Sequence, residues 1–227
     1  MLAANYIDVE QQSPEWLEMR KGMVTGSMVR HAVSKMKTQP KNGPTAYMQF
    51  REDYLEDIVT TRLTGDMPDR YVSKAMKEGV ELESSAIAEY EMRQGVMVES
   101  IGFVFHPTIQ WYGSSPDGLL GSDIVIEAKC PTQATHLRYL REYVDAKEKG
   151  LEYIPDEYKA QVKAHLSCTE RPMCHFISFH PRFPKHLRLL VSPYRRDKGA
   201  IAEQDAEVQK FLDEAASLER FMGQLEL

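Results

Sequence analysis

Two charged residues stand two apart in an otherwise apolar run, Ile124-Val125-Ile126-Glu127-Ala128-Lys129-Cys130, and Asp117 precedes them by ten residues in Ser115-Pro116-Asp117-Gly118. Alternate side chains of a strand point to opposite faces, so Glu127 and Lys129 share one face, and Val125 shares it with them. The neighbours on both faces are apolar, and charged groups are rarely buried without partners, so neither charge is easily explained as solvent-facing. An ordinary Glu–Lys pair on an edge strand is the plain alternative. Asp117 has a plain alternative too: with Pro at the second position and Gly at the fourth of a type I turn, it can be a turn residue and nothing more.

A third carboxylate comes from the segment after Ser73. Met76, Val80, Ile87 and Tyr90 recur at spacings of four, seven and three, and Glu83 fills the gap in the middle of that apolar stripe. Leu82, Ala86 and Ala88 allow other phases, in which Glu83 is exposed. If Asp117, Glu127 and Glu83 converge, two carboxylates about 4 Å apart repel by about 4 kcal/mol at an effective dielectric of 20, so the cluster needs a cation or raised pKa values. An all-oxygen site suits Mg²⁺ or Mn²⁺, which accept phosphate oxygens and keep waters. A lysine beside it can steer or help deprotonate an attacking water and offset charge developing on a phosphoryl group.

These residues need elements to hold them. Pro14 to Arg20 suits a short helix, and Thr25 or Ser27 can cap a second running to about Ser34. Thr45 can cap a longer one, because Tyr47, Phe50, Tyr54, Leu55, Ile58 and Leu63 recur near helical period up to Gly65. Another helix covers about Ser73 to Arg93 and stops at Gly95. Val96 to Phe105, Gln110 to Gly113 and Asp123 to Lys129 carry β-branched and aromatic residues bounded by Gly, Pro and Ser, as strands do. Helices return at Gln133 to Glu148 and Asp156 to Ser167, strands at Met173 to His180 and His186 to Val191, and a last amphipathic helix fills Lys198 to Met222. The predicted class is α/β or α+β, one domain over 1–227 with a small mixed sheet flanked by helices, and Lys35 to Pro44 as a loop.

With 227 residues, 42% of them hydrophobic, the chain can bury a substantial core. No apolar run reaches bilayer length and the start lacks a signal-like pattern, so a soluble intracellular protein without a membrane partner is expected. Cys130, Cys168 and Cys174 are an odd number without C-x-x-C spacing, which argues against a disulfide framework or a structural zinc. A net charge of −6 argues against a generic nucleic-acid binder, whose footprint is usually basic. The sum hides local clusters, however. Arg182, Lys185, His186, Arg188, Arg195, Arg196 and Lys198 fall close together, either lining a groove or forming a solvated basic edge.

An Asp, a spacer and Glu-x-Lys resemble the PD-(D/E)xK nuclease motif, with its restriction-endonuclease-like core. The flanking segments sharpen the resemblance: SPEWLEMRKGMVTGS, KEGVELE around Glu83, SSPDGLL, IEAKCP and EYKAQVKAHL, in that order over Ser13 to Leu166. Together they resemble the phage lambda exonuclease family of viral alkaline recombination nucleases, also called the YqaJ family. The resemblance implies a Mg²⁺-dependent enzyme, with Mn²⁺ able to substitute, that digests the 5′ strand of linear double-stranded DNA to mononucleotides. It implies a homotrimeric ring and a single-strand annealing protein as partner, in the cytoplasm of a bacterial host. It further implies that Asp117, Glu127 and Ala128 stand at the metal with Glu83 in support, that Lys129 acts on the water, and that Gln161 orients it. Tyr158, Gln161 and His165 fall on one helical face, as that role requires. Arg20, Ser27 and Ser115 match DNA-contacting positions, the first two at a terminal 5′ phosphate, and Met76 matches an apolar wedge at the duplex end. The plain alternatives are core packing for Met76, a polar helix edge for Gln161 and His165, and a solvated helix end for Arg20.

Three scattered cysteines cannot supply the four ligands of the iron–sulfur nucleases that share the motif. A restriction-type endonuclease would use the same acids and lysine but cut closed circles. A catalytically silent DNA-binding module would need a motif residue to be missing, and none is.

Overall fold

The computed structural model describes residues 5–36, 46–67 and 74–225, with 74–80 as backbone only. In chain order the elements are β1 (Tyr6–Ile7), α1 (Pro14–Met19), β2 (Val24–Thr25), α2 (Val29–Val33), α3 (Phe50–Thr64), α4 (Lys74–Gln94), β3 (Phe103–Phe105), β4 (Tyr112–Ser114), β5 (Gly118–Leu120) and β6 (Ile124–Lys129). There follow α5 (Gln133–Glu148), α6 (Asp156–Thr169), β7 (Met173–Phe179), β8 (Leu189–Arg195) and α7 (Lys198–Gly223).

The strands form two four-stranded sheets rather than the single small one expected, in the orders β1-β3-β4-β2 and β5-β6-β7-β8. Both are mixed. β2 runs parallel to β4 and β6 parallel to β7, while the other pairs are antiparallel. Helix α6 packs against β3 and β4 of the first sheet and β6 and β7 of the second, and so couples the two. The largest core joins α2, α3, α6 and α7 to one face of the sheets through Tyr54, Val125, Val162, Phe176 and Phe211. A second core lies under α4, where Ala86 and Tyr90 meet Ile126, Ala128 and Ile177. β6 therefore divides its side chains as a strand buried on both faces must: Val125 belongs to the first core, Ile126 and Ala128 to the second.

Local signals explain several boundaries. Ser13 caps α1 by accepting the Trp16 amide, with Pro14 in the first turn, and Asp197 caps α7 by accepting the Ala200 amide. Gly65 ends α3 at φ 79°, the left-handed conformation that glycine adopts without steric cost.

Other expectations need correction. α2 starts at Val29 behind Met28, with no side-chain cap; Thr25 instead sits in β2 opposite Gly113, in a strand too short to show periodicity. α3 starts at Phe50, leaving Tyr47 in a bridge to Lys35, and Thr45 lies outside the described residues, as does most of the Lys35 to Pro44 segment. Of Val96 to Phe105 only the last three residues are strand; the Val98 amide is taken by the Glu91 carboxylate at 2.7 Å, and Glu99 makes only an isolated bridge to Leu119. The last strand is Leu189–Arg195 rather than His186 to Val191. It pairs with β7 along its whole length and tolerates Pro193 because β8 is an edge strand.

Candidate active site

Asp117 sits where the chain leaves the first sheet at β4 and enters the second at β5. Its amide donates to the Ile126 carbonyl at 3.0 Å, and its Oδ2 accepts the Ala128 amide at 2.6 Å. Asp117 is therefore pinned to β6 rather than closing a local turn. Gly118 has a different reason from the one its place in a turn suggested: a Cβ there would lie 2.3 Å from Val98 Cγ1, so only glycine allows that approach.

Glu127 and Lys129 point to the α6 side of β6. This strand is interior, between β5 and β7, and Glu127 is completely buried, so the pair is not a solvated edge pair. Glu127 Oε2 accepts from His165 Nε2 at 2.5 Å, and His165 Nδ1 shares a short hydrogen bond with Ser114 Oγ. Lys129 Nζ forms an ion pair with Glu127 Oε1, which takes no well-directed hydrogen bond among the described residues, and stands 5.4 Å from the centre of the Tyr158 ring. Tyr158 and His165 thus meet Lys129 and Glu127 from one face of α6. His165 is fully buried, not a polar helix edge, and sequence reasoning missed its partner role. Gln161, between them, is half-buried and makes no side-chain hydrogen bond among the described residues.

The electrostatics follow from this crowding. Burial, then the charges of Glu127 and Glu83, push the Asp117 carboxyl well above its ordinary range, against the pull of Lys129 and the Ala128 amide. Glu127 behaves oppositely: burial disfavours its charge, but Lys129 and His165 outweigh that and hold it below the usual carboxylate range. Lys129 is likewise disfavoured by burial and yet kept an ammonium by Glu127 and Asp117. Glu83 is raised by burial, with Lys129 opposing and Glu127 adding. Burial, with Glu83 next, pushes the Cys130 thiol up to about 12.

Glu83 and Asp117 line a cavity of about 600 Å³ between α4 and the segments 8–12 and 98–102. Gln11 braces its floor, donating to the Ile101 and Pro116 carbonyls at 2.8 and 2.9 Å. Gln12, also lining it, is held at φ 69°.

Among the described residues no three His, Cys, Asp or Glu side chains form a ready-made metal cluster. The donor chemistry nonetheless fits a hard divalent cation. Asp117, Glu83 and Glu127 offer only oxygens, the donor type a hard cation takes, and burial and the neighbouring carboxylates disfavour the Asp117 charge more than Lys129 favours it. Ala128 presents a buried methyl and an amide committed to Asp117, so only its carbonyl oxygen could serve a cation.

The terminal-phosphate candidates are partly linked. Arg20 stacks its guanidinium on Trp16, 3.6 Å from the ring centre, and Trp16 Nε1 donates to Ser115 Oγ and the Gly102 carbonyl, both at 3.0 Å. Trp16 therefore ties Arg20 to the Asp117 junction, a link invisible in the spacing. Ser27 is exposed in the turn after β2. The preceding Gly26 packs so closely that a Cβ would stand 3.0 Å from Ser114 Oγ and 3.5 Å from His165 Cε1, bringing that turn against the His165 network. The side chain of Met76 lies outside the described residues.

The model of the YqaJ-like viral recombinase domain matches residues 15–172. Among solved structures, an alkaline exonuclease from Laribacter hongkongensis superposes with a TM-score of 0.78 at 32% identity, over 93% of this chain and 97% of its own. A complex of that exonuclease with dAMP gives 0.76 at 32% identity, over 92% and 96%. A phage-related exonuclease from Haemophilus somnus 129PT shares the fold at 17% identity, with a TM-score of 0.59 over 86% and 95%. No curated protein matches the chain. The chain belongs to the YqaJ-like viral recombinase family and, with an alkaline exonuclease 32% identical over nearly its whole length, to that family's nucleases. Among the described residues no helix is long and apolar enough to cross a membrane.

Proposed function

We propose that this nuclease is a Mg²⁺-dependent 5′-to-3′ exonuclease that degrades one strand of linear double-stranded DNA to mononucleotides, leaving a 3′ single strand. The observation that carries the reading is the fully buried Glu127, clamped by His165 and Lys129 on the strand whose Ala128 amide holds Asp117. Asp117 and Glu127, with Glu83 and the Ala128 carbonyl in support, would hold the cation. Bound there, Mg²⁺ or Mn²⁺ would supply Lewis acidity toward the scissile phosphate and toward the attacking water.

The chain's own residues do the rest. His165 fixes the Glu127 carboxylate in one orientation, with Ser114 behind it. Lys129, held between Glu127 and the Tyr158 ring, orients the water and offsets charge developing on the phosphoryl oxygens, and Gln161 reaches the same water from α6. Arg20, stacked on Trp16, grips a terminal 5′ phosphate with its planar fork, assisted by Ser27 and Ser115, which registers the scissile bond one nucleotide in. Met76 parts the duplex end. A homotrimeric ring keeps the enzyme on DNA, and a single-strand annealing protein receives the exposed strand.

The test is digestion of end-labelled linear duplex and closed circles with Mg²⁺, by the wild type and Arg20→Ala, on 5′-phosphoryl and 5′-hydroxyl ends. Mononucleotides released from 5′ ends, intact circles and a phosphate preference lost in the variant are expected. Cleavage of circles, release from 3′ ends or full activity in excess chelator would overturn the reading.

A further inference from the structure

From Arg171 to Arg196 the chain holds six Arg and Lys residues and no Asp or Glu, in a protein whose net charge is −6. The fold separates these cations into two groups. Arg171 donates to the Gly121 and Ile124 carbonyls at 2.7 and 2.8 Å, and Arg196 donates to the Leu166 carbonyl. Arg195 pairs with Glu152 at 3.1 Å, and Arg188 lies 3.9 Å from Glu89. Those four face protein partners, Arg188 the most loosely, since its buried Nε takes no hydrogen bond among the described residues. Arg182 and Lys185, on the loop between β7 and β8, are exposed and form no ion pair among the described residues, with the exposed His186 beside them.

The loop is built, not slack. Its base is closed by the His180 amide donating to the Arg188 carbonyl at 2.9 Å, and Leu187 donates to the Pro184 carbonyl at 2.8 Å. Phe183 packs its ring 4.8 Å from that of His136, and the buried His136 bonds the Leu187 carbonyl at 2.9 Å and Ser178 Oγ at 2.8 Å. Arg93 of α4 also grips the Lys185 carbonyl while its Nε holds the Glu89 carboxylate.

Its position matters. β6 and β7 are parallel with Lys129 opposite Ser178, so the loop leaves the sheet two residues beyond the strand position that faces the active-site lysine. A rigid loop carrying two uncommitted cations at that end is suited to phosphate oxygens, to which a cation contributes affinity without reading sequence.

We propose that the β7–β8 loop is a second DNA-contact site, in which Arg182 and Lys185 hold backbone phosphates of the substrate apart from the terminal phosphate. The inference rests on the nuclease reading. Phosphodiesters reach the site either from the incoming duplex or from the strand left single.

The test is equilibrium binding by the full chain and by Arg182→Ala/Lys185→Ala, in Ca²⁺ without Mg²⁺, to a blunt duplex and to a single strand of equal length, between 50 and 200 mM salt. Loss of two contacts should flatten the log–log salt slope by about 1.8 on duplex or about 1.4 on single strand. A flatter slope on duplex assigns the loop to the incoming helix, and one on single strand alone assigns it to the released strand. Arg195→Ala should leave both slopes unchanged. Normal wild-type binding with unchanged slopes in the double variant overturns this inference alone. Absence of wild-type binding to either DNA overturns the nuclease reading and the inference with it.

Discussion

Helix α6 takes part in two polar networks of nearly the same composition. In one, Ser114, His165 and Glu127 run from the first sheet through the helix to β6. In the other, His106, Ser167 and Asp205 run from the end of β3 through the same helix to α7. The His106 Nδ1 accepts the Thr108 and Ile109 amides, so its proton is on Nε2, which donates to Ser167 at 3.1 Å; Ser167 in turn donates to Asp205 at 2.6 Å. Both networks link a histidine, a serine and an acid; Ser114, His165 and Glu127 are all fully buried, whereas of the second set only Ser167 is, with His106 and Asp205 half-buried. They differ in what lies beyond the acid. Past Glu127 come the Lys129 ammonium and the Asp117 junction; past Asp205 comes an Oδ1 buried with no hydrogen-bond partner among the described residues. A Ser–His–acid set is thus not a functional signature in itself. On the proposed reading, the charge that the acid shares with its next neighbour is what separates a network that positions a reactive group from one that ties down a helix.

Substitutions at the two ends should separate the networks most widely. Glu127→Gln or Lys129→Ala should lower the initial rate of nucleotide release on the order of a thousandfold or more while circular dichroism stays native, and the double variant should lose little beyond either single one. A folded Lys129→Ala enzyme with near wild-type turnover would remove the distinction altogether. One step out, His165→Ala should cost on the order of 10- to 100-fold in rate, because Glu127 loses the group that orients it. The matched change in the other network, Ser167→Ala, should leave turnover at the wild-type level and lower unfolding stability by about 1 kcal/mol, measured by urea denaturation. Equal rate losses in His165→Ala and Ser167→Ala would mean that α6 acts as one unit.

The smallest effect concerns another anchor of α7. Burial disfavours the Glu207 charge, but hydrogen bonds from Lys210, Tyr47 and Lys35 outweigh it and hold the carboxyl down to about 2. A depressed folded-state pKa gives a stability contribution that is present above the unfolded value near 4.5 and lost as pH falls toward about 2. Glu207→Gln should therefore lower the Tm modestly at pH 7, and the gap from wild type should close over that acid window. A gap that widened on acidification would contradict the assignment.

Much of this site was legible in the chain because it is local. Glu127, Ala128 and Lys129 belong to one strand, and period-two alternation places the charges together on a face whatever packs there. For Glu83 the periodicity left the phase open, and packing chose it: Ala86 and Tyr90 of α4 are buried against β6 and β7, which leaves Glu83 half-buried. Short strands escaped notice. β1, β2 and β5 span two or three residues and exist because a partner strand supplies their hydrogen bonds, which no window of local composition registers.

The chain by itself determined the class of fold, the family and the identity of the charged triplet, since these depend on periodicity and on motifs written in contiguous residues. Only the tertiary structure decided that there are two sheets, that Asp117 stands at their junction, that His165 rather than solvent receives Glu127, and that Trp16 carries Arg20 to Ser115. Each of these rests on pairs far apart in sequence: 38 residues for His165 and Glu127, and 99 for Trp16 and Ser115. The same holds for the basic stretch. Arg171, Arg188, Arg195 and Arg196 are indistinguishable in type from Arg182 and Lys185, and only their surroundings separate the cations that face protein partners from the uncommitted ones. Local pattern fixes which way a side chain points along its own element, whereas a charge acquires its partner only when distant segments pack.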